Sequence, residues 1–174
     1  MIIRLAERDL RTQFGTFSEI LYYDGQKESI ALVMGSVEEQ ENVLCHSSCI
    51  SAHIFSSIEC TCREEMEASQ SLIAKEGQGL IIWLDQEGKG NGHLALMKSI
   101  PFKKAGFSQA DAYVKAGYQA DARSYRAAAE TLSELKVKSG VLLTNNPDKA
   151  DYLRRASIII SDTKQITIST VGRR

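Results

Sequence analysis

Residues 14–23 are rich in apolar and aromatic side chains, stop at Asp24-Gly25, and a second, mostly apolar run follows over 29–34. Two such runs on either side of an Asp-Gly turn predict a β-hairpin. Residues 42–46 predict a further strand. After Cys62 the period changes. Met66, Leu72 and Ile73 share the inward face of a helix over 63–76, with Gly77 placed to end it. Residues 80–84 are a continuous apolar run, which predicts a buried strand. A glycine-rich loop follows, then a short helix over 93–99. Tyr125, Ala128, Ala129, Leu132 and Leu135 fall on one face of a stronger helix over 122–135. Residues 141–143 predict a second buried strand. Asn146 is placed to cap the next helix, with Pro147 at its first position. Strands over 158–160 and 166–168 close the pattern. Strands alternating with helices predict an α/β fold, a mixed sheet flanked by helices.

Composition narrows the picture little. The 174 residues suit one domain with a proper core, and no repeat or linker divides them, so 1–174 is expected to be a single domain. A hydrophobic share of 43% and a charged share of 25% are ordinary for a globular chain. The net charge of −1 suggests neither a nucleic-acid nor a membrane partner. No apolar run approaches the roughly 20 residues that span a bilayer. The first residues lack the basic-then-apolar layout of a secretory signal. All four cysteines fall between positions 45 and 62, which reads as a metal cluster in a reducing cytoplasm rather than a disulfide framework.

The cysteines carry the strongest chemical signal. Cys49, Cys60 and Cys62 stand as Cys, ten residues, Cys, one residue, Cys. Two thiolates one residue apart can reach the same soft cation. Three protein ligands leave a tetrahedral zinc one open position, where a water is acidified to a pKa of about 7. Cys45 and His46 lie just upstream, so a closed structural zinc site is a second reading. Reduced buried thiols are the third.

Three loops offer further chemistry, each with a plain alternative. In Gln86-Glu87-Gly88-Lys89-Gly90-Asn91-Gly92, the glycines free backbone amides to cradle an anion and Lys89 adds charge; the alternative is a solvated turn. Asp121 and Arg123 stand at the start of the predicted 122–135 helix, where a phosphate is favoured; the alternative is a cap and a surface charge. Lys149 falls in the first turn of the helix after Asn146, a poor match to the helix dipole unless an anion offsets it. His46, His53 and His93 read as ordinary polar residues, with His46 the best placed, three residues from Cys49.

Together these segments resemble the GTP cyclohydrolase II family. The family pattern His-Ser-Glu-Cys-Leu-Thr-Gly-Asp, then Ser-Leu-Arg-Cys-Asp-Cys-Gly, reads here as His46-Ser47-Ser48-Cys49-Ile50-Ser51-Ala52-His53, then Ser57-Ile58-Glu59-Cys60-Thr61-Cys62-Arg63. The family's Arg-Gln-Glu-Gly-Arg reads as Asp85-Gln86-Glu87-Gly88-Lys89. Its Gly-Phe-Ala-Ala-Asp-Glu-Arg reads as Gly117-Tyr118-Gln119-Ala120-Asp121-Ala122-Arg123. Its Leu-Leu-Thr-Asn-Asn-Pro-Lys-Lys reads as Leu142-Leu143-Thr144-Asn145-Asn146-Pro147-Asp148-Lys149.

The resemblance implies a GTP cyclohydrolase II-like fold and a cytoplasmic hydrolase of riboflavin biosynthesis. Such an enzyme opens a purine ring with release of formate, and pyrophosphate with it. It implies zinc on Cys49, Cys60 and Cys62, magnesium on the nucleotide phosphates, and a homodimer. Asp121 matches the general base and Arg123 the residue acting at the phosphate, for which stabilising charge is the conservative role. His46, Ser47, Glu65, Glu87, Gly88, Lys89, Thr144 and Lys149 match substrate contacts.

The departures predict a specialised relative. The family's Thr-Gly-Asp is Ser51-Ala52-His53, and the arginine before the second cysteine is Glu59. A nucleotide-holding glutamine is Glu65, a phosphate-contacting arginine is Leu44, a catalytic tyrosine is Ile100 and a threonine is Gln109. These changes predict that GTP is a poor substrate. Two alternatives follow: the same ring opening on another purine or pyrimidine nucleotide, or a catalytically silent nucleotide-binding relative.

Overall fold

A computed structural model describes residues 1–36, 39–144, 147–155 and 158–168, with residues 39–41, 147 and 148 described in their backbone only. Three strands open the chain: β1 (Ile3–Thr12), β2 (Gly15–Tyr23) and β3 (Glu28–Met34). Each pairs antiparallel with the next. Four more follow: β4 (Glu39–Ser47), β5 (Gly79–Leu84), β6 (Ser139–Leu143) and β7 (Ile159–Lys164). They complete one seven-stranded sheet in the order β1-β2-β3-β5-β4-β6-β7. β5 is antiparallel to β3, while β5, β4, β6 and β7 run parallel. The mixed α/β sheet expected from the pattern is therefore present.

Helices cover both faces because the central strands are apolar on both. β4 turns Val43 and Cys45 to one face and Leu44 to the other; β5 does the same with Leu80 and Ile82 against Ile81. The first face packs against α5 (Arg126–Glu134), through Ala128, Ala129 and Leu132, and against α6 (Pro147–Arg155), through Leu153. The second packs against Ile73 of α2 (Cys62–Glu76), with Met66 and Leu72 partly buried beside it. α2 ends where predicted, on Gly77 in the left-handed conformation at φ 71°.

Four expectations need correction. First, the short helix over 93–99 is longer: α3 (His93–Lys104) runs through Pro101. Packing on α4 (Gln109–Lys115) overrides the missing proline N–H, with Gln109 Nε2 donating to Ser99 Oγ across the pair at 3.2 Å. Second, α4 itself was not foreseen. Its signal is a cap: Ser108 Oγ accepts the Asp111 amide at 3.1 Å and donates to its carboxylate at 2.7 Å. Third, α5 begins at Arg126 rather than at 122, so Asp121 and Arg123 precede the helix instead of starting it. Their backbone is held by tertiary bonds that a helix would have to break. Fourth, residues 166–168 form no strand. A short helix, α1 (Ile50–His53), lies within the cysteine segment. Asn145 and the predicted cap Asn146 lie outside the described residues.

Candidate functional site

In sheets with parallel strands, loops at the carboxyl ends converge and form the binding crevice. Here the ends of β4, β5 and β6 release Cys49, the 85–92 loop and the segment leading to Lys149. Between them, α3 and α4 wall a cavity of about 770 Å³. That volume lies in the range of small-molecule sites. Lys89, Lys103, Lys104, Arg123 and Lys149 line it, against the carboxylates Glu59, Glu65 and Glu87. The excess of cations suits an anion.

At one end of the cavity the sulfurs of Cys49, Cys60 and Cys62 lie within 4.8 Å of one another, with Cys49 and Cys60 3.6 Å apart. All three are partly accessible. The segment that returns Cys60 and Cys62 to Cys49 is short and internally bonded. Ser57 N donates to Ser51 O at 2.9 Å, and Thr61 Oγ1 donates to Glu65 at 2.8 Å. Burial, ahead of the neighbouring thiols, pushes Cys49 and Cys62 above the ordinary thiol value. Such a cluster could hold a metal ion, which would replace the thiol protons and stabilise the thiolates. Cys45 is separate. It is fully buried in the core, and burial raises it to about 12.

Glu87 joins the cysteines to the next loop. Its Oε2 accepts the Ile50 amide at 2.8 Å, one residue after Cys49, and its Oε1 lies 3.6 Å from His93 Nδ1. Only 8% of Glu87 is exposed. Nearby, Gln86 N donates to Ser48 Oγ at 3.0 Å, and Ser48 N donates to Leu84 O at 2.8 Å. The strand ends are thereby knitted together.

Three amides of the glycine loop, those of Gly90, Asn91 and Gly92, are taken up within the loop. Gly90 N donates to Gln86 O and Glu87 O, Asn91 N to Gly88 O, and Gly92 N to Glu87 O, all at 2.9–3.2 Å. The glycines serve close approach. Gly88, at φ +61°, packs against the Gly92 carbonyl; Gly90, at φ +81°, packs against the Ala122 backbone. Across that contact Ala122 N donates to Lys89 O at 2.9 Å. Asn91 clamps the Gln119 peptide from both sides, and Gln86 Oε1 accepts the Ser124 amide at 2.5 Å. These bonds hold 119–124 as a strap over the loop, which is why no helix forms there.

The strap presents Arg123, 15% exposed at its side chain, to the cavity. Asp121 sits behind it and takes two hydrogen bonds from Arg123 Nε, at 2.9 and 3.2 Å. Burial pushes the Asp121 carboxyl up, but the hydrogen bonds and charge of Arg123, with Lys89 adding charge, hold it below the ordinary carboxylate range. Lys149 donates to Cys45 O at 3.0 Å from the cavity floor, and burial lowers its ammonium. His46 is 4% exposed, lines the cavity, and packs against His53 with ring centres 5.1 Å apart and the rings tilted by 51°. Both its ring nitrogens are unpartnered among the described residues, and burial, then Lys149 and His53, push it down to about 3.

The cavity thus gathers Cys49, Cys60, Cys62, His46, Ser47, Glu65, Glu87, Gly88, Lys89, Arg123 and Lys149. Two expected residues are off its wall. Asp121 reaches it only through Arg123. Thr144 is buried and donates its amide to Lys164 O at 2.9 Å. Of the rewritten positions, Ser51, Glu59, Glu65, Ile100 and Gln109 line the cavity. Leu44 instead lies in the apolar core with Phe17, Ile73, Ile81 and Leu143 and is not on the cavity wall. Sequence reasoning assigned nothing to Gln86 or to Tyr113, which also borders the cavity.

The model of the family described as GTP cyclohydrolase II matches residues 3–165. A riboflavin biosynthesis protein RibBA from Bacillus cereus is 39% identical over 153 residues, covering 86% of this chain and 38% of that protein. RibBA proteins from Bacillus cytotoxicus and Phocaeicola vulgatus are 37% and 35% identical, covering 97% and 94% of this chain. The chain spans about two-fifths of the length of these relatives, 38% to 44%. Among solved structures, RibBX, a two-domain 3,4-dihydroxy-2-butanone 4-phosphate synthase from A. baumannii, superposes with a TM-score of 0.53 at 16% identity. That likeness covers 97% of this chain and 40% of RibBX, and it shows a shared fold. With a family model spanning nearly the whole described chain and relatives well above 30% identity, this chain belongs to the GTP cyclohydrolase II family.

Proposed function

We propose that this chain is a zinc-dependent cyclohydrolase that opens the base ring of a purine nucleotide with release of formate, within riboflavin biosynthesis. The observation that carries the reading is the placement of three convergent thiols at one end of a cation-lined cavity. The donor set fits zinc. Bonds of about 2.3 Å in a tetrahedron put sulfurs about 3.8 Å apart, close to the 3.6 Å between Cys49 and Cys60. Among the described residues no fourth His, Cys, Asp or Glu joins the cluster, which favours an open position over a closed structural site. When bound there, zinc supplies Lewis acidity that makes water a nucleophile near neutral pH.

The chain's own groups do the rest. Lys89, Arg123 and Lys149 bind phosphate oxygens, and any magnesium enters with those phosphates. A phosphate that takes the Arg123 guanidinium removes the partner holding Asp121 low. The negative charge of the phosphate itself then raises that carboxyl, so phosphate binding readies Asp121 to accept a proton. Glu87 fixes the turn after Cys49, while His46, Ser47, Glu65 and Gly88 bound the base. A second copy of the chain, as in a homodimer, would cover the exposed Ile54, Phe55 and Ile58 beside the cysteines. The reduced cysteines suit the cytoplasm.

Glu59 and Glu65, two carboxylates on the cavity wall, favour a second reading of the substrate: ring opening of a nucleotide other than GTP. Apolar Ile100 on the same wall is the feature that favours a silent relative. The test is a screen of purine and pyrimidine nucleoside triphosphates with zinc-loaded protein, followed by the shift in base absorbance and by formate release. One nucleotide should be converted. A chelator and Cys60→Ser should each stop the reaction and remove the metal, and Cys45→Ser should leave both unchanged. Retention of full metal by Cys60→Ser would reject the thiol assignment.

A further inference from the structure

Tyr113 is a buried residue whose hydroxyl neither the fold nor the proposed chemistry uses. It is 1% exposed, yet it borders the cavity. α4 holds it rigidly. Ser108 caps the helix start, Gln109 is tied to buried Ser99 of α3, and Tyr118 N closes on Tyr113 O at 2.9 Å. The groups that act electrostatically on the phenol are Glu87, Arg123, Asp121 and Cys49. They come from the β5 loop, the strap and the metal segment, so the ring stands where the three parts of the site meet. Its hydroxyl makes no hydrogen bond to protein among the described residues. Buried tyrosine hydroxyls ordinarily find a partner. The partner available here is whatever fills the cavity.

We propose that the Tyr113 hydroxyl donates a hydrogen bond to the base of the bound nucleotide and helps set which base is accepted. The inference rests on the nucleotide reading above. Phosphates are drawn to Lys89, Arg123 and Lys149, while the reacting base must approach the cysteines. Tyr113 borders the cavity from α4, as Ile100 does from α3. Ile100 brings no polar atom at its place on the wall, and the Tyr113 phenol brings a donor facing it from the neighbouring helix. Burial, then the charge of Glu87, raises the phenol to about 12. It therefore stays protonated at neutral pH and acts as a donor.

The test compares zinc-loaded wild type with Tyr113→Phe, which keeps the ring and deletes only the hydroxyl. Affinities for GTP, ATP, CTP and inorganic tripolyphosphate are measured by titration calorimetry. The best-bound nucleotide should weaken roughly fivefold to tenfold, the worth of one hydrogen bond, and preference among bases should narrow. Tripolyphosphate should bind as before. Unchanged nucleotide affinity would overturn the inference. So would equal weakening for nucleotide and tripolyphosphate, which is the signature of lost packing. A wild-type protein that binds none of the three nucleotides overturns the parent reading as well, and that result is visible without the variant.

Discussion

Gly90 and Gly92 stand two residues apart in one loop, both at positive φ, +81° and +95°, yet alanine should act very differently at the two. At Gly92 a Cβ meets nothing within 4 Å, so only the backbone conformation, φ 95° and ψ 166°, a region almost confined to glycine, penalises alanine, about 1–3 kcal/mol. At Gly90 it would lie 2.6 Å from the Ala122 carbonyl and 2.9 Å from Arg123 N. Backbone cannot rotate away as a side chain can. The strap must lift, which threatens the Ala122–Lys89 hydrogen bond of about 0.5–1.5 kcal/mol and adds overpacking of about 1–3 kcal/mol. Gly90→Ala should therefore exceed Gly92→Ala by roughly 1–3 kcal/mol. For a chain of this size that is roughly 2–12 °C in Tm. Lifting the strap also moves Arg123, so Gly90→Ala should lose phosphate affinity, read by tripolyphosphate titration, while keeping its metal. Equal Tm and equal phosphate binding for the two variants would refute the idea that the glycine loop positions Arg123 by backbone contact.

Glu87→Ala leaves the Ile50 amide unpaired beside Cys49 and should weaken metal binding about 10- to 100-fold by chelator competition. Exposed Asp85→Ala should not, and equal affinities for the two would reject this role of Glu87. His46 gives a pH dependence. Its folded value near 3 lies below the unfolded 6.5, so the unfolded chain takes up a proton that the folded chain refuses between those values. This group's contribution is complete above pH 6.5 and is lost as pH falls toward 3. In excess zinc, urea unfolding of the wild type should lose up to about 1.4 kcal/mol more per pH unit below 6 than His46→Gln. Parallel slopes would contradict the assignment.

What the sequence made legible depended on where the determining contacts lie. The α2 face, the buried runs of β5 and β6 and the cysteine spacing are local patterns, and each predicts its element or cluster directly. The strap over 119–124 is not local. Its helical periodicity through Tyr125 is real, but Lys89, Asn91 and Gln86 take its backbone bonds, and those partners lie 28 to 38 residues away. The same loop admits two readings of its glycines, because free amides and close backbone packing call for the same residue. α4 was readable from Ser108 and Asp111 but is too short to show a period. Leu44 differs in another way: a motif assigns a position, and strand parity decides which face of β4 it serves. Tyr113 carries no motif, so only the folding of α3 onto α4 reveals it.

The central claim is ring opening by the metal site, and formate is its direct product. Zinc-loaded protein should release one formate for each nucleotide consumed, from one base in preference to the others, with GTP a poor substrate. Arg123→Ala should abolish release while retaining zinc. Release of no formate from any purine or pyrimidine nucleotide by fully metallated protein would contradict the account.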